Sequence, residues 1–199
     1  MTKTWTIRKA RPDDRQALSD ICLWTADSGV DASALYSDPA FPGLIWAVPY
    51  LDYDPDFAFV LDTGIETVGY VIAAHDTAAF ETTLHREWWP KLQQRYVGYA
   101  AQTARDRMVL DIIAVPPRTP PPRLEHYPAH LHIDLLPVAQ GAGWGRAMME
   151  RLWEGLRETG VPGIHLGVGA TNTKALGFYQ RLGYEEIDRQ GAIYMGKKL

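Results

Sequence analysis

The chain has 199 residues, 46% hydrophobic and 22% charged, proportions typical of a folded globular protein and unlike those of a disordered or fibrous one. Twenty Lys and Arg against 24 Asp and Glu give a formal net charge of -4, which argues against nucleic acid or an anionic membrane as the partner. This length favours a single domain spanning residues 1–199.

Cysteine usage and the N-terminal segment bear on the compartment. The single cysteine, Cys22, cannot form an internal disulfide, which is typical of a reducing compartment, and we interpret it as a small buried hydrophobe. Residues 1–14 carry charges with no apolar segment between them, and no apolar stretch reaches membrane-spanning length. We therefore expect a cytoplasmic protein without a secretion signal or membrane span.

The first half of the chain alternates strand and helix patterns. Residues 5–8 alternate like a strand, and an acidic turn at residues 12–14 then opens a helix that continues to Trp24. Residues 56–62 and 66–74 are rich in strand-forming side chains and are separated by a turn that contains Gly64, which predicts a hairpin.

The middle of the chain is a candidate insertion. Apolar residues recur every fourth position from Phe80 to Tyr96, which predicts a helical region that Pro90 bends or divides. Residues 108–115 are predicted to form a strand. The proline-rich run 115–123 favours a stiff loop, with a recognition motif for a proline-binding domain as the alternative.

The next strand, residues 130–136, has two distinct faces. Leu131, Ile133 and Leu135 alternate with His130, His132 and Asp134, so the apolar and polar side chains are expected on opposite faces. A glycine-rich loop and a helix with an apolar stripe from Met148 to Leu156 follow. The remaining patterns predict a strand at 164–168, a helix at 173–182 and strands at 184–188 and 192–195.

The glycine-rich loop has the composition of an anion site. Gly141, Gly143 and Gly145 keep side chains away from the main-chain amides, and the following helix offers unpaired N–H groups with a partial positive charge. A pyrophosphate fits there, with Arg146 as an added cation and the small Ala142 leaving the approach open. The spacing differs from that of dinucleotide-binding and nucleoside-triphosphate loops.

Two spaced motifs carry a resemblance to a known family. Gln140, Gly143 and Gly145 match the Gln/Arg-x-x-Gly-x-Gly/Ala signature of the GNAT superfamily of acetyltransferases. A second family feature, which starts from an Asn ahead of a helix, is matched by Asn172, Ala175, Phe178, Tyr179, Gly183 and Tyr184. Within the superfamily, the sequence of residues 132–146 is most similar to the acetyltransferase-like domain at the C-terminus of O-GlcNAcases and to its free-standing bacterial relatives.

The resemblance implies an α/β (α+β) fold. Its central sheet would be mixed and largely antiparallel, splayed at the cofactor cleft, with helices on both faces and a helical, proline-rich insertion at about residues 76–128. The glycosidase portion of O-GlcNAcases is not expected, because no pair of catalytic carboxylates stands in a motif context.

The resemblance also implies acetyl-CoA as the cosubstrate. Its pyrophosphate would lie on the glycine-rich loop and its pantetheine arm beside the splayed strand, where Gly167 and Gly169 leave room. Asn172 would hydrogen-bond the arm or cap the last helix. The residues implied in cofactor binding are Leu135, Leu136, Val138, Gln140, Gly141, Ala142, Gly143, Trp144, Gly145, Arg146, Asn172 and Tyr179.

Direct transfer to an amine would need an acid and a base. Tyr179 is the candidate that protonates the leaving thiolate, or else a packed helix tyrosine. Asp134 is the candidate base or cation ligand, or else an ordinary strand carboxylate. Main-chain N–H groups near Leu135 would polarise the thioester carbonyl. His126, His130 and His132 do not complete a recognised ligand set, so no metal is expected.

The identity of the acceptor depends on an acidic segment, which lies where members of this superfamily usually form the acceptor side of the active-site cleft. It favours a cationic small-molecule or peptide amine, and a solvated acidic loop is the alternative. Its members are Asp31, Asp38, Asp52, Asp54 and Asp56, with Trp46, Tyr50 and Tyr53 among them. Two functions follow: an acetyl-CoA-dependent N-acetyltransferase, or a cofactor-binding module without turnover.

Overall fold

A computed structural model describes residues 5–199, which form a seven-stranded sheet with helices on both faces. The strands are β1 Thr6–Lys9, β2 Ala58–Asp62, β3 Thr67–Ala74, β4 Ala129–Leu135, β5 Gly163–Val168, β6 Glu185–Gln190 and β7 Ala192–Lys198. The helices are α1 Arg15–Thr25, α2 Phe41–Trp46, α3 Val48–Tyr53, α4 Thr77–Glu87, α5 Trp89–Arg95, α6 Ala104–Ala114, α7 Pro121–Leu124, α8 Trp144–Glu158 and α9 Thr173–Arg181. Residues 1–4, which begin the charged N-terminal segment, lie outside the described residues.

The sheet has the strand order β1-β2-β3-β4-β5-β7-β6 and is antiparallel except between β4 and β5. The predicted mixed, largely antiparallel sheet with helices on both faces is therefore confirmed. The parallel pair is short, since β4 meets β5 only at Ala129 with Ile164 and at His130 with His165. Beyond these residues the two strands separate.

Two apolar cores cover the two faces of the sheet. On the first, called here the α1 face, Leu18 and Ile21 of α1 pack with Tyr70 of β3 and with the helices of the insertion. On the second, the α8 face, Met148 and Leu152 of α8 pack against strands β2 to β5 and β7. Burial of these side chains, each worth about 1.5–3 kcal/mol, fixes which face every strand residue points to.

Several sequence predictions are confirmed at the level of local chemistry. The β2–β3 hairpin turns at Gly64, whose φ is 82° and whose N–H donates to the Asp62 carboxylate at 2.6 Å. The helical region of residues 80–96 is divided, and Pro90 is the second residue of α5, where its missing N–H costs no hydrogen bond. Cys22 is free and buried, as interpreted from the sequence.

The predicted strand at residues 108–115 is wrong, because these residues lie in helix α6. A capping box starts that helix: Thr103 accepts from the Asp106 N–H, and the Asp106 carboxylate accepts from the Thr103 N–H. Val109 and Ile113, four residues apart, are buried on one side of it. The β-branched residues suggested a strand, but the cap and the helical spacing outweigh that propensity.

The proline-rich run also differs from the prediction of a loop throughout. Its last residues form the single turn α7, which begins with Pro121 and Pro122 at first-turn positions that tolerate proline. The connection of residues 116–128, called here the strap, crosses the α1 face above β5, β6 and β7. Arg123 holds it there through an ion pair with Asp188 of β6 at 2.7 Å.

The helices of residues 5–199 include none that is both long and apolar enough to cross a membrane.

Asp106 provides a test of how the insertion is held together. Its side chain is 0% exposed and accepts hydrogen bonds from the Ser37 N–H and hydroxyl and from the N–H groups of Gln102 and Thr103. Burial opposes the charge, but these four bonds outweigh it and lower the pKa of Asp106 to about 2. We expect Asp106→Ala to lower the free energy of unfolding by about 2–4 kcal/mol in urea denaturation, because four donors lose their acceptor.

The matched control is Asp111→Ala, which removes an exposed carboxylate from the same helix and should change the free energy of unfolding by less than about 0.5 kcal/mol. Equal effects of the two substitutions would contradict the role assigned to Asp106.

Candidate active site

The glycine-rich loop lies between the end of β4 and the start of α8. A short 3-10 helix, Pro137–Ala139, carries the chain away from the sheet, and Gln140 leads into the glycines. Gly141 and Gly143 have φ angles of 79° and 85°, in the left-handed region that favours glycine. A Cβ atom built on either would meet no atom within 4 Å, so the space in front of both is open.

The first turn of α8 presents its amides to this space. Gly143 caps the helix, and the first intrahelical bond runs from the Ala147 N–H to the Gly143 carbonyl at 3.1 Å. The N–H groups of Trp144, Gly145 and Arg146 have no acceptor within residues 5–199. Fifteen aligned peptide units add a partial positive charge at this end. The loop therefore has the chemistry of an anion site, as the sequence predicts.

Gln140 fixes the loop to two neighbouring elements. Its side-chain N–H donates to the Leu135 carbonyl at 2.8 Å, and its oxygen accepts from the Lys174 ammonium, also at 2.8 Å. Lys174, on the first turn of α9, places a second cation near the loop besides Arg146. Sequence reasoning missed it, although its position two residues after Asn172 was a usable signal.

Gly145 serves packing. A Cβ at this position would come within 3.2 Å of the Phe178 ring and 3.4 Å of Leu135. Because glycine has no Cβ, helices α8 and α9 can pack close to each other at the end of β4. The neighbouring Trp144 stacks on Trp5, with 5.7 Å between ring centroids, and so is occupied by the N-terminal strand region.

The other predicted cofactor residues line the same region with different exposure. Leu135 and Leu136 are half-buried at the end of β4, whereas Val138 is 64% exposed on the outer side of the loop. Ala142 and Arg146 are exposed. Arg146 forms an ion pair with Glu150, at 3.5 Å.

The edge of β4 that faces β5 has main-chain groups without strand partners. The Leu136 N–H donates to Val68 of β3 at 2.9 Å, and alternation along an antiparallel ladder points the Leu135 N–H the other way, into the gap. The neighbouring edge of β5 carries Gly167 and ends at Val168, just before Gly169. The gap is thus bordered by unpaired main chain on one side and small residues on the other.

Asn172 caps α9. Its side-chain oxygen accepts from the Ala175 N–H at 3.1 Å, which is the capping alternative of the two that the sequence left open.

Tyr179 lies on α9 at the α8-face side of the gap. Its ring is 9% exposed and packs edge-on against Phe178 and Tyr184, with centroids 5.3 and 5.7 Å away. The hydroxyl makes no hydrogen bond within residues 5–199. Burial, and secondarily the charge of Asp134, raise the pKa of Tyr179, so the phenol stays protonated at neutral pH.

Asp134 lies on the opposite, α1-face side of β4. It is half-buried and accepts a short hydrogen bond from the hydroxyl of Tyr70, its cross-strand partner on β3. Burial raises the pKa of Asp134 to about 6, and the bond from Tyr70 offsets part of that rise. A carboxylate with this pKa is ionised at neutral pH and is a better proton acceptor than an ordinary aspartate.

The histidines on the same face are neutral. Thr77 donates its one hydroxyl proton to the Pro128 carbonyl, so His130 must donate through Nδ1 to Thr77 and accept at Nε2 from Tyr50, each at 2.7 Å. His165 bonds through Nδ1 to the Tyr127 carbonyl at 2.8 Å. Burial lowers the pKa of His132 and of His165 to about 4.

The acidic segment has three exposed carboxylates, those of Asp31, Asp52 and Asp56. Its carboxylates all have partners inside the chain: Asp31 with Ser33, Asp38 with Tyr96, Asp52 with Arg15, Asp54 with His75 and Asp56 with Lys9. Tyr50 and Trp46 pack in the α1-face core. These contacts fit the alternative of a solvated acidic loop whose aromatic residues serve the core.

Across residues 5–199, His, Cys, Asp and Glu side chains form no group of three or more that could hold a metal ion.

Comparisons with known proteins agree with this architecture. The model of the acetyltransferase (GNAT) family matches residues 34–184. Protein O-GlcNAcase of Rattus norvegicus, like that of Mus musculus, is 25% identical over 206 residues, which cover 100% of this chain. The chain spans 22% of the length of each of these relatives.

Solved structures extend the likeness. The crystal structure of SsHAT is 39% identical with a TM-score of 0.86 over 98% of both chains. The protein yncA from Salmonella typhimurium, solved with its cofactor acetyl-CoA, is 14% identical with a TM-score of 0.57 over 98% of this chain and 94% of its own. Drosophila melanogaster polyamine N acetyltransferase is 16% identical with a TM-score of 0.60 over 98% of this chain and 100% of its own. The last two show the same fold.

The buried histidines predict how stability depends on pH. Between pH 6.5 and 4 the unfolded chain protonates His165 and the folded chain does not, so stability falls as pH falls through this window. His165→Asn keeps a donor for the Tyr127 carbonyl but cannot titrate. We expect the wild type to lose about 1–3 kcal/mol more unfolding free energy than this variant on going from pH 6.5 to 4, measured by urea denaturation.

His126→Asn, which replaces an exposed histidine, is the control and should keep the pH slope of the wild type. Parallel curves for the wild type and His165→Asn would contradict the neutral, buried state of His165.

Proposed function

The chain belongs to the acetyltransferase (GNAT) family, and from this premise we propose that it transfers an acetyl group from acetyl-CoA directly to an amine. The observation that carries the proposal is an arrangement of three parts around one gap. A glycine loop with unpaired amides lies at the end of β4, with Asp134 on one side of the gap and Tyr179 on the other.

The residues of the loop fit the diphosphate of the cosubstrate. The open space in front of Gly141 and Gly143 would admit phosphate oxygens, and the amides of residues 144–146 with the cations Lys174 and Arg146 would neutralise them. The pantetheine arm would follow the unpaired edge of β4 near Leu135 and Leu136, forming main-chain hydrogen bonds like an added strand. Val138 would cover it from outside.

When bound, acetyl-CoA supplies a thioester that an amine can attack. Asp134 accepts the proton that the amine nitrogen loses as the new C–N bond forms, directly or through one water. The Leu135 N–H donates to the carbonyl oxygen as it gains charge, and a well-placed donor of this kind contributes on the order of 10²-fold in rate. Tyr179 donates its proton to the sulfur as the C–S bond breaks and regains one from solvent.

Titration calorimetry with acetyl-CoA, followed by a free-thiol assay of CoA release against small amines and basic peptides, tests the proposal. We expect saturable binding and release that depends on the acceptor. No binding at high micromolar acetyl-CoA would overturn the proposal. Binding without acceptor-dependent release would instead identify a cofactor-binding module.

Gly143→Val tests the placement of the diphosphate. Valine is strained at a φ of 85°, and its side chain would fill the open space, so we expect acetyl-CoA affinity to fall at least about 100-fold in calorimetry. Gly64→Val is the control, because Gly64 has a similar φ of 82° in open space but lies in the β2–β3 turn. Full affinity in Gly143→Val would place the diphosphate elsewhere.

The pH profile tests the role of Asp134. With a pKa of about 6, the base form is gained as pH rises, so kcat/KM should increase through pH 6 and then level off on this limb. Asp134→Asn should lower kcat/KM about 10²- to 10⁴-fold. Tyr70→Phe removes the bond that lowers the pKa of Asp134, so the acid limb should move to higher pH.

Tyr179→Phe separates acid from base in the same assay. It should slow transfer with acetyl-CoA affinity nearly intact and should leave the acid limb near pH 6. An acid limb that is unchanged in Tyr70→Phe would contradict the assignment of that limb to Asp134.

A further inference from the structure

We propose that Tyr194 binds the acceptor across the gap from Asp134, and that this acceptor is a monoamine whose remaining body is uncharged and carries a hydroxyl or amide group. The inference rests on the proposed function and names its substrate class. It is carried by the rows of side chains that the sheet register places on the α1 face.

The strand register brings distant residues into one row. Gly167 of β5 pairs with Tyr194 of β7, and Tyr194 pairs with Asp188 of β6. His165, two residues before Gly167, is the neighbour of His130, with 5.7 Å between their rings, so this row shares the face of His132 and Asp134. The row begins at the gap where β4 and β5 separate.

Tyr194 contributes the first side chain beyond that gap. Gly167 has none, and the Tyr194 ring lies over it, 3.2 Å from where a Cβ would stand. The Arg123 guanidinium lies over the ring, with its carbon 3.3 Å from the ring centroid. Tyr194 is half-buried, and its hydroxyl makes no hydrogen bond within residues 5–199.

The strap holds this tyrosine in place. The Arg123 side chain is 6% exposed and is ion-paired with Asp188 at 2.7 Å, so its charge is neutralised inside the wall. Further along the strap, the Tyr127 ring packs directly on Gly196 of β7, where a Cβ would come within 2.7 Å of the ring. A ring held by Gly167 and Arg123 can present its hydroxyl without losing side-chain freedom when a ligand binds.

The charges on this wall set the number of ammonium groups that an acceptor can carry. In the rows of His132 and Asp134, strands β3, β4, β5 and β7 contribute Tyr70, Ile72, His132, Asp134, Gly167, Ala192 and Tyr194. Asp134 is the one carboxylate among them, and Asp188 on β6 is already paired with Arg123. A second ammonium would therefore lose water without gaining a counter-charge.

The polar groups set the body of the acceptor. The Tyr194 hydroxyl can donate or accept, and the half-buried His132 imidazole has no hydrogen-bond partner within residues 5–199. Groups of this kind reward a ligand that hydrogen-bonds and cost affinity when the ligand is purely apolar. An amino alcohol or amino amide fits better than a polyamine or an alkylamine.

The experiment compares serinamide, n-butylamine and spermidine as acceptors in the CoA-release assay with wild type, Tyr194→Phe and Tyr127→Phe. With wild type, we expect kcat/KM for serinamide to exceed that for spermidine at least about tenfold. Tyr194→Phe should lower kcat/KM for serinamide about 5- to 10-fold, should not lower kcat/KM for n-butylamine, and should leave acetyl-CoA affinity unchanged. Tyr127→Phe, the control on the same strap, should behave as wild type.

Saturation-transfer NMR of serinamide on the CoA-loaded protein supplies a readout that needs no turnover. Turnover that prefers spermidine, or that Tyr194→Phe does not change, overturns the inference and leaves the proposed function standing. Serinamide binding that weakens in Tyr194→Phe without any CoA release supports the inference and overturns the proposed function. The absence of both turnover and serinamide binding would overturn the inference and the proposed function together.

Discussion

Strands β4 and β5 run parallel but pair at only two positions, so the strand edges beyond His130 and His165 need other partners. In a folded protein nearly every buried main-chain polar group must be satisfied, which makes this opening the constraint around which the rest is arranged. Gln140 satisfies the Leu135 carbonyl from the loop, and the Leu135 N–H is left pointing into the gap. The family's cosubstrate chemistry is proposed to use that unsatisfied edge.

The gap also separates two titratable groups by environment. Asp134 and Tyr179 lie on opposite sides of β4, and burial raises the pKa of both. For the carboxylate this brings the pKa close to neutrality, and for the phenol it moves the pKa further away. Burial thus makes the carboxylate a stronger base and keeps the phenol protonated at neutral pH, which is consistent with the base and acid roles proposed for them.

Residues 76–128 shape the α1 face on both sides of the gap. Helix α6 is tied to the segment around Ser37 by the fully buried Asp106, and the strap is tied to the outer strands by Arg123. The carboxylates of the acidic segment have partners inside the chain, and the side chains proposed to line the gap include a tyrosine, an imidazole and one carboxylate.

The sequence by itself determined the features that depend on local spacing: the hairpin at Gly64, the two faces of β4, the glycine loop with its helix, and the family. The strand predicted at residues 108–115 was wrong, because the β-branched residues there were given more weight than the capping box of α6. Lys174 was missed, because an exposed lysine belongs to no apolar pattern. Only the tertiary structure decided that the acidic segment is internally paired and that Arg123, Asp188 and Tyr194 meet. Those residues are brought together by strand register and by the path of the strap, which are set by long-range packing that no short sequence window contains.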